Sequence, residues 1–326
     1  MRECTRRDFL RIAGAAAAGT AVTAAAAACG GASGPAQAPP DSGRLSPAPS
    51  AAAGGPPAKS RLAVAKGPDP AAITAAAIAA LGGMQQFVHS GDDVVIKPNL
   101  CTGYHGPEYA ATTNPDVVGQ LVGLCRAAGA KRVRVMDSPF GSTADEAYGA
   151  SGVKDAVEKA GGAMEVMAPA RFRNYRIPDG LDITEWPIYE DVLACDVLIN
   201  VPIVKDHGLT RLTLGGKNLL GVVLSPGDLH GNIGQRTADL MSVCRPTLTV
   251  VDAYRVLTAN GPTGGDLDDV EKLETVVASA DMVAADAYAA TLMGFTGADI
   301  PYVTAAAAMG LGEMDLEKVD VRTERV

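Results

Sequence analysis

From Arg61 to Met309, short apolar runs alternate with longer segments whose apolar residues recur at helical spacing. The runs Arg61 to Ala65, Val94 to Ile96, Val133 to Met136, Ala163 to Met167, Val197 to Val201, Leu248 to Val251 and Glu274 to Ala278 read as strands. Most of them lack polar alternation, the pattern of a strand buried on both faces. Helices are expected over Pro70 to Phe87, Pro115 to Gly129, Thr143 to Ala160, Leu219 to Gly221, Thr237 to Cys244, Asp281 to Met293 and Pro301 to Met309. Asn114-Pro115 supplies a capping side chain and a proline at the first helical position, and Gly129 a C-terminal stop. Alternation of this kind predicts an α/β fold, a mostly parallel sheet covered by helices on both faces in a single large domain over residues 61–326.

The first sixty residues follow other rules. Arg6-Arg7, a spacer, and Phe9-Leu10 form a twin-arginine signature ahead of the alanine-rich run Ile12 to Ala28. That run is too weakly apolar for a good permanent membrane span. Residues 1–28 are therefore expected to be an export leader, with the twin-arginine translocation machinery as a partner. Ala26-Ala27-Ala28 suits ordinary cleavage, and Cys29 could instead be lipidated, which would be the chain's only hold on a membrane. Residues 29–60 are rich in Gly, Pro, Ala and Ser and should form a flexible tether.

Composition narrows the partners. With 47% hydrophobic residues the chain can build a substantial core, while 4% aromatics argues against stacking platforms for nucleic acid or sugars. The formal charge is −9; the leader holds four arginines against Glu3 and Asp8, so the remainder stands at −11. An acidic body repels nucleic acid and anionic membrane surfaces. Cys101, Cys125, Cys195 and Cys244 show no Cys-x-x-Cys spacing, so an iron–sulfur or cysteine–zinc centre is not expected. In an oxidising compartment they could form disulfides.

In such folds ligands bind beyond the carboxyl ends of the strands. There the chain places Lys97-Pro98-Asn99, Asp137, Lys205-Asp206-His207 and Asp252. Lys97 is a desolvated cation for a carboxylate or phosphate, a catalytic base with a lowered pKa, or the partner of Asp137 or Asp252 in an ion pair. His207, beside Lys205, suits acid–base work or metal ligation. His207 and His230 with Asp137 or Asp252 would make a divalent transition-metal site if the fold brought them together. Gly215-Gly216-Lys217-Asn218 precedes a helical segment and could offer backbone N–H groups and a charge to an anion, or simply turn into the helix. Thr112 and Thr113 could bind ligand oxygens or cap the helix after them. Asp281 suits a helix N-terminus, and Asp286 could reach the site or an interior lysine. Gly261-Pro262-Thr263-Gly264-Gly265 reads as a loop that could act as a lid.

The series Val95-Ile96-Lys97-Pro98-Asn99-Leu100, Thr112-Thr113-Asn114-Pro115, Ile199-Asn200-Val201-Pro202 with Lys205 and His207, Gly216-Lys217-Asn218-Leu219-Leu220-Gly221, Val251-Asp252-Ala253 and Gly261-Pro262 resembles the family catalogued as domain of unknown function 362. The resemblance is collinear from about Lys97 to Gly294. It implies a fold and no reaction. Many members carry a ferredoxin-like segment whose cysteines are absent here, and Asp206 stands where the family usually has threonine between lysine and histidine. The resemblance also implies a distant likeness to lactate-racemase-like proteins, which use a nickel-bearing nucleotide cofactor. The expected function is an exported enzyme acting on a small anionic substrate or cofactor, with Lys97, Lys205 and Lys217 binding the anion. The alternative is a tethered binding protein for an anion or metal ion that performs no chemistry.

Overall fold

A computed structural model describes residues 60–326 of the chain. The leader and all of the tether before Ser60 lie outside the described residues.

Among the described residues twelve strands are formed: β1 (Arg61–Lys66), β2 (Asp93–Pro98), β3 (Arg132–Val135), β4 (Ala163–Met164), β5 (Phe172–Arg176), β6 (Glu185–Tyr189), β7 (Val197–Val201), β8 (Ile203–His207), β9 (Arg211–Thr213), β10 (Leu248–Leu257), β11 (Val270–Ser279) and β12 (Asp320–Arg325). The main sheet runs β12-β1-β11-β10-β7-β2-β3-β4, with β8 and β9 attached beside β10. Along this path only β11 opposes its neighbours, so the sheet is mostly parallel as expected. The antiparallel step has a local cause. Residues 258–269 join β10 to β11 without a crossover helix, and a parallel return needs one.

Successive strand residues point to opposite faces, and each face has its own core. Leu62, Val64, Val95 and Val251 pack against Leu240, Ala287 and Val303, from helices Ile233–Val243, Met282–Thr291 and Pro301–Ala308. Ala63, Ala65, Val94 and Ile96 pack against Ile73, Leu121 and Val157, from helices Pro70–Ala80, Pro115–Ala127 and Val153–Lys159. Both faces of the sheet are thus covered by helices. Each fully buried aliphatic side chain contributes about 1.5–3 kcal/mol relative to exposure. No helix among the described residues is long and apolar enough to cross a membrane.

Several boundaries differ from the sequence reading. The first helix stops at Ala80 because Gly82 and Gly83 adopt φ of 104° and 91°, which glycine alone takes without strain. The segment Thr143 to Ala160 breaks at Ser151-Gly152 into two short helices, Ala144–Ala150 and Val153–Lys159. The strand ends at Val201 as expected, because Pro202 cannot donate to a ladder, and a further strand, β8, starts at Ile203. Lys205 and His207 therefore lie within a strand, not in the loop after one. The hairpin β5–β6, strand β9 and strand β12 lack a strong apolar pattern, so the sequence does not predict them; β5 and β12 expose most of their residues.

Candidate functional site

At the carboxyl edge, β2 and the chain after it place Lys97 and Asn99 against Asn218, from the short helix Gly215–Asn218. Lys97 is fully buried. Its ammonium donates to the Pro98 carbonyl at 2.8 Å, to Asp137 Oδ1 at 2.6 Å and to Asn218 Oδ1 at 3.0 Å. An ammonium has three protons, and all three are used. Asp137 also accepts from the Leu100 N–H at 2.6 Å and the Ser138 N–H at 2.9 Å. Of the readings open for Lys97, the structure realises the ion pair with Asp137. A Cβ on Gly221 would come within 2.7 Å of the Lys97 ammonium, so only glycine lets that backbone pass so close.

The network continues through amides. Asn218 Nδ2 donates to Asn200 Oδ1 at 2.8 Å, and Asn99 Nδ2 donates to Asn218 Oδ1 at 3.0 Å. Asn99 Oδ1 in turn accepts from Lys205 Nζ at 2.9 Å. Lys205 also donates to the Ala111 carbonyl at 2.6 Å and the Pro262 carbonyl at 2.8 Å, and its nitrogen lies 3.1 Å from Cys101 Sγ. With 1% exposure, Lys205 is as fully engaged by the protein as Lys97. The Gly261-Pro262 loop is pinned over the site by this bond and by Asp206, whose Oδ2 accepts from the Gly261 N–H at 3.1 Å.

Lys217 is different. It makes no hydrogen bond or ion pair to a described residue, although it is partly buried. Burial, and then the nearby charges of Lys205 and Lys97, push its ammonium down to about 8. Close by, His207 is 8% exposed and drawn down to about 4, first by burial and then by Lys217, Lys205 and His230. Its Nδ1 accepts from the Leu209 N–H at 3.2 Å. The neutral ring at pH 7 therefore carries its proton on Nε2. His230 stands exposed at the rim, lowered by burial and by Lys217.

The remaining candidates are structural or unassigned. Thr113 Oγ1 accepts from the Asn99 N–H and donates to the Val201 carbonyl, both at 2.8 Å. Thr112 Oγ1 is buried without a hydrogen-bond partner. The N–H groups of Gly215 and Gly216 are taken by Asp286 at 2.7 and 2.8 Å, so the anion at that turn is the protein's own carboxylate. Burial pushes Asp286 up to about 7. Asp252, raised by burial to about 6, accepts from the Asn114 and Tyr254 N–H groups. It therefore anchors the start of helix Pro115–Ala127. Asp281 accepts from the Ala284 N–H, as expected of an N-cap.

The transition-metal set is not assembled. Asp137 is spent on Lys97 and backbone, Asp252 on backbone, and no cluster of three or more His, Cys, Asp or Glu among the described residues could hold an ion. The four described cysteines are free thiols, so the disulfides that an oxidising compartment would permit are not formed. Sequence reasoning also missed Asn200, whose polarity inside the run Val197 to Val201 was the available signal, and the Ala111 and Pro262 carbonyls, for which no signal exists. A cavity of about 520 Å³ opens at the carboxyl ends of β1 and β12, beside the middle of β11, lined by Lys66, Leu273, Glu274 and Arg325 among others, and none of the candidate residues reaches it.

Residues 94–291 match the family described as "Domain of unknown function (DUF362)". The chain is 31% identical over 242 residues to the thylakoid-associated protein sll1697 of Synechocystis sp., covering 71% of this chain and 72% of that protein. Among solved structures, the lactate racemase apoprotein of Thermoanaerobacterium thermosaccharolyticum aligns with a TM-score of 0.45 at 12% identity, over 67% of this chain. The alignment spans about half of that structure, 54% of its length.

Proposed function

We propose that this chain, which belongs to the domain of unknown function 362 family, is an exported enzyme that binds a small oxyanion, a carboxylate or phosphate, at Lys217. The observation that carries the reading is the state of that lysine. Lys97 and Lys205 have protein acceptors for every proton, whereas Lys217 has none among the described residues. Among the described residues only Asp137 offers a carboxylate to these three ammonium groups. A site of this kind favours an incoming negative charge, and its low-dielectric walls strengthen the attraction.

One group beside the anion can exchange a proton and another can donate a hydrogen bond. Lys217, at about 8, sits in the range where an amine gives or takes a proton near neutral pH. His207 offers a neutral Nε2–H, a donor for a ligand oxygen. A protein that only captured anions would need an ammonium that stays charged, not one that gives up its proton near neutral pH. This supports the enzyme reading over the binding-protein reading.

Titration calorimetry of the folded protein with sulfate, inorganic phosphate and short carboxylates at pH 7 tests the binding step. The account expects saturable binding of at least one of them; a panel with no binding would overturn it. Export rests on the Arg6-Arg7 leader and the small residues before Cys29. The Synechocystis relative is named for its association with thylakoids. For this chain we extend that to a membrane association through a lipid on Cys29. Intact mass of the native protein decides it: a chain beginning at Cys29, with or without lipid, supports export, and a retained Met1 contradicts it.

A further inference from the structure

We propose that Cys101 is the nucleophile of this site, its sulfur set against the Lys205 ammonium and placed to attack, as the thiolate, an electrophilic carbon of the bound anion. The anionic character of the substrate rests on the reading above; the nucleophile rests on its own geometry.

The geometry begins with Lys205. Its ammonium is 1% exposed and contacts three neutral acceptors, Asn99 Oδ1 and the Ala111 and Pro262 carbonyls. No carboxylate touches it among the described residues. A charge removed from water without a counter-charge is strongly disfavoured. The one contacting group able to become negative is Cys101 Sγ, at 3.1 Å. Lys97 and Lys217 lie within electrostatic reach of the same sulfur.

A second observation points to a ligand. Thr102, Thr112 and Thr213 each bury a hydroxyl that has no hydrogen-bond partner among the described residues. Thr213 stands directly opposite Lys205 in the β8–β9 ladder, so both side chains share one face. Thr102 follows Cys101. Thr112 follows Ala111, whose carbonyl accepts from the Cys101 thiol at 3.5 Å. Buried hydroxyls are normally paired, and the Thr213 orphan on the face of Lys205 marks where a ligand or water oxygen belongs.

The other described cysteines serve as internal controls. Burial pushes the Cys125, Cys195 and Cys244 thiols up to about 12, and no ammonium touches their sulfurs. Cys125 and Cys244 are sealed, whereas Cys101 keeps 7% exposure.

The substrate class is then a small carboxylate or phosphate that carries a carbonyl. A sulfur lone pair forms the C–S bond and the C=O π pair moves to oxygen. Lys217 gives that oxygen a proton and is left as the neutral amine. No oxidant, reductant or leaving group is required, and the reverse step restores every atom.

Alkylation of the full folded chain with iodoacetate or iodoacetamide at pH 7, followed by peptide mapping, tests this. In each case a C–S bond forms and iodide leaves. Cys101 should react about tenfold faster with iodoacetate than Cys195 does, and at least as fast with iodoacetate as with the neutral amide, because cationic surroundings concentrate the anionic reagent. Cys101→Ser, checked for fold by circular dichroism, should lack the fast site. Slow labelling of Cys101, or a preference there for iodoacetamide, would overturn the proposal even where sulfate binds. Fast, anion-preferring labelling that sulfate fails to slow would uphold Cys101 and count against the oxyanion reading.

Discussion

The clusters around Lys97 and around Lys217 each set a lysine at the sheet's carboxyl edge, Lys97 near the end of β2 and Lys217 on the short helix Gly215–Asn218. Around Lys97 every proton finds an acceptor and the charge meets Asp137 at 2.6 Å. Around Lys217 burial weakens the ammonium most, and the charges of Lys205 and Lys97 weaken it further. One cluster is finished by the fold; the other is left for something outside it. A lysine at a strand end is therefore not a binding group by virtue of its place. What decides is whether its partners arrive with the fold.

Removing one member of the finished cluster should have the largest effect. Lys97→Met leaves the Asp137 carboxylate buried and unpaired, and should cost about 3–5 kcal/mol in urea unfolding. A loss below about 1 kcal/mol would mean the pair does not hold the edge together.

Lys217→Met should act in the opposite sense. The folded chain holds the Lys217 proton only up to about 8, against 10.5 for an ordinary lysine. The unfolded chain binds the extra proton between those values, so the penalty is complete at pH 7 and fades as pH rises from 8 to 10.5. The variant should be about 2 kcal/mol more stable than the parent at pH 7 and converge with it at high pH. An equal loss of stability at both pH values would break the contrast with Lys97.

The same lysine sets the pH dependence of binding. Sulfate keeps its charge through this range, so its affinity should hold below pH 8 and fall about tenfold per unit above it. Calorimetry at constant ionic strength gives the profile. His207 should contribute least. As one neutral N–H donor it should add about 1 kcal/mol, so His207→Ala weakens sulfate about fivefold. Because the ring stays neutral down to about 4, affinity should not climb between pH 7 and 5.5. A climb there would show a protonating histidine in the site.

The sequence made the parallel core legible because its strands are continuous apolar runs with charged residues waiting at their ends. Strands β5 and β12 escaped because edge strands exposed to water carry no such signal. The candidate residues gathered where strand-end reasoning put them, but their roles did not follow. Whether Lys205 was free depended on the Ala111 and Pro262 carbonyls, 94 and 57 residues away in the chain. The expected anion turn at Gly215-Gly216 was already filled by Asp286, 71 residues on. Backbone acceptors and distant carboxylates have no local pattern, so only the folded chain sorts lysines with partners from those without.

The most direct test of the central claim is sulfate titration of the parent protein and of Lys217→Met, side by side at pH 7 and constant ionic strength. The account predicts saturable binding in the parent and none in the variant, with the variant folded and more stable. Equal sulfate affinity in the two proteins would contradict it, and would place the anion site away from Lys217.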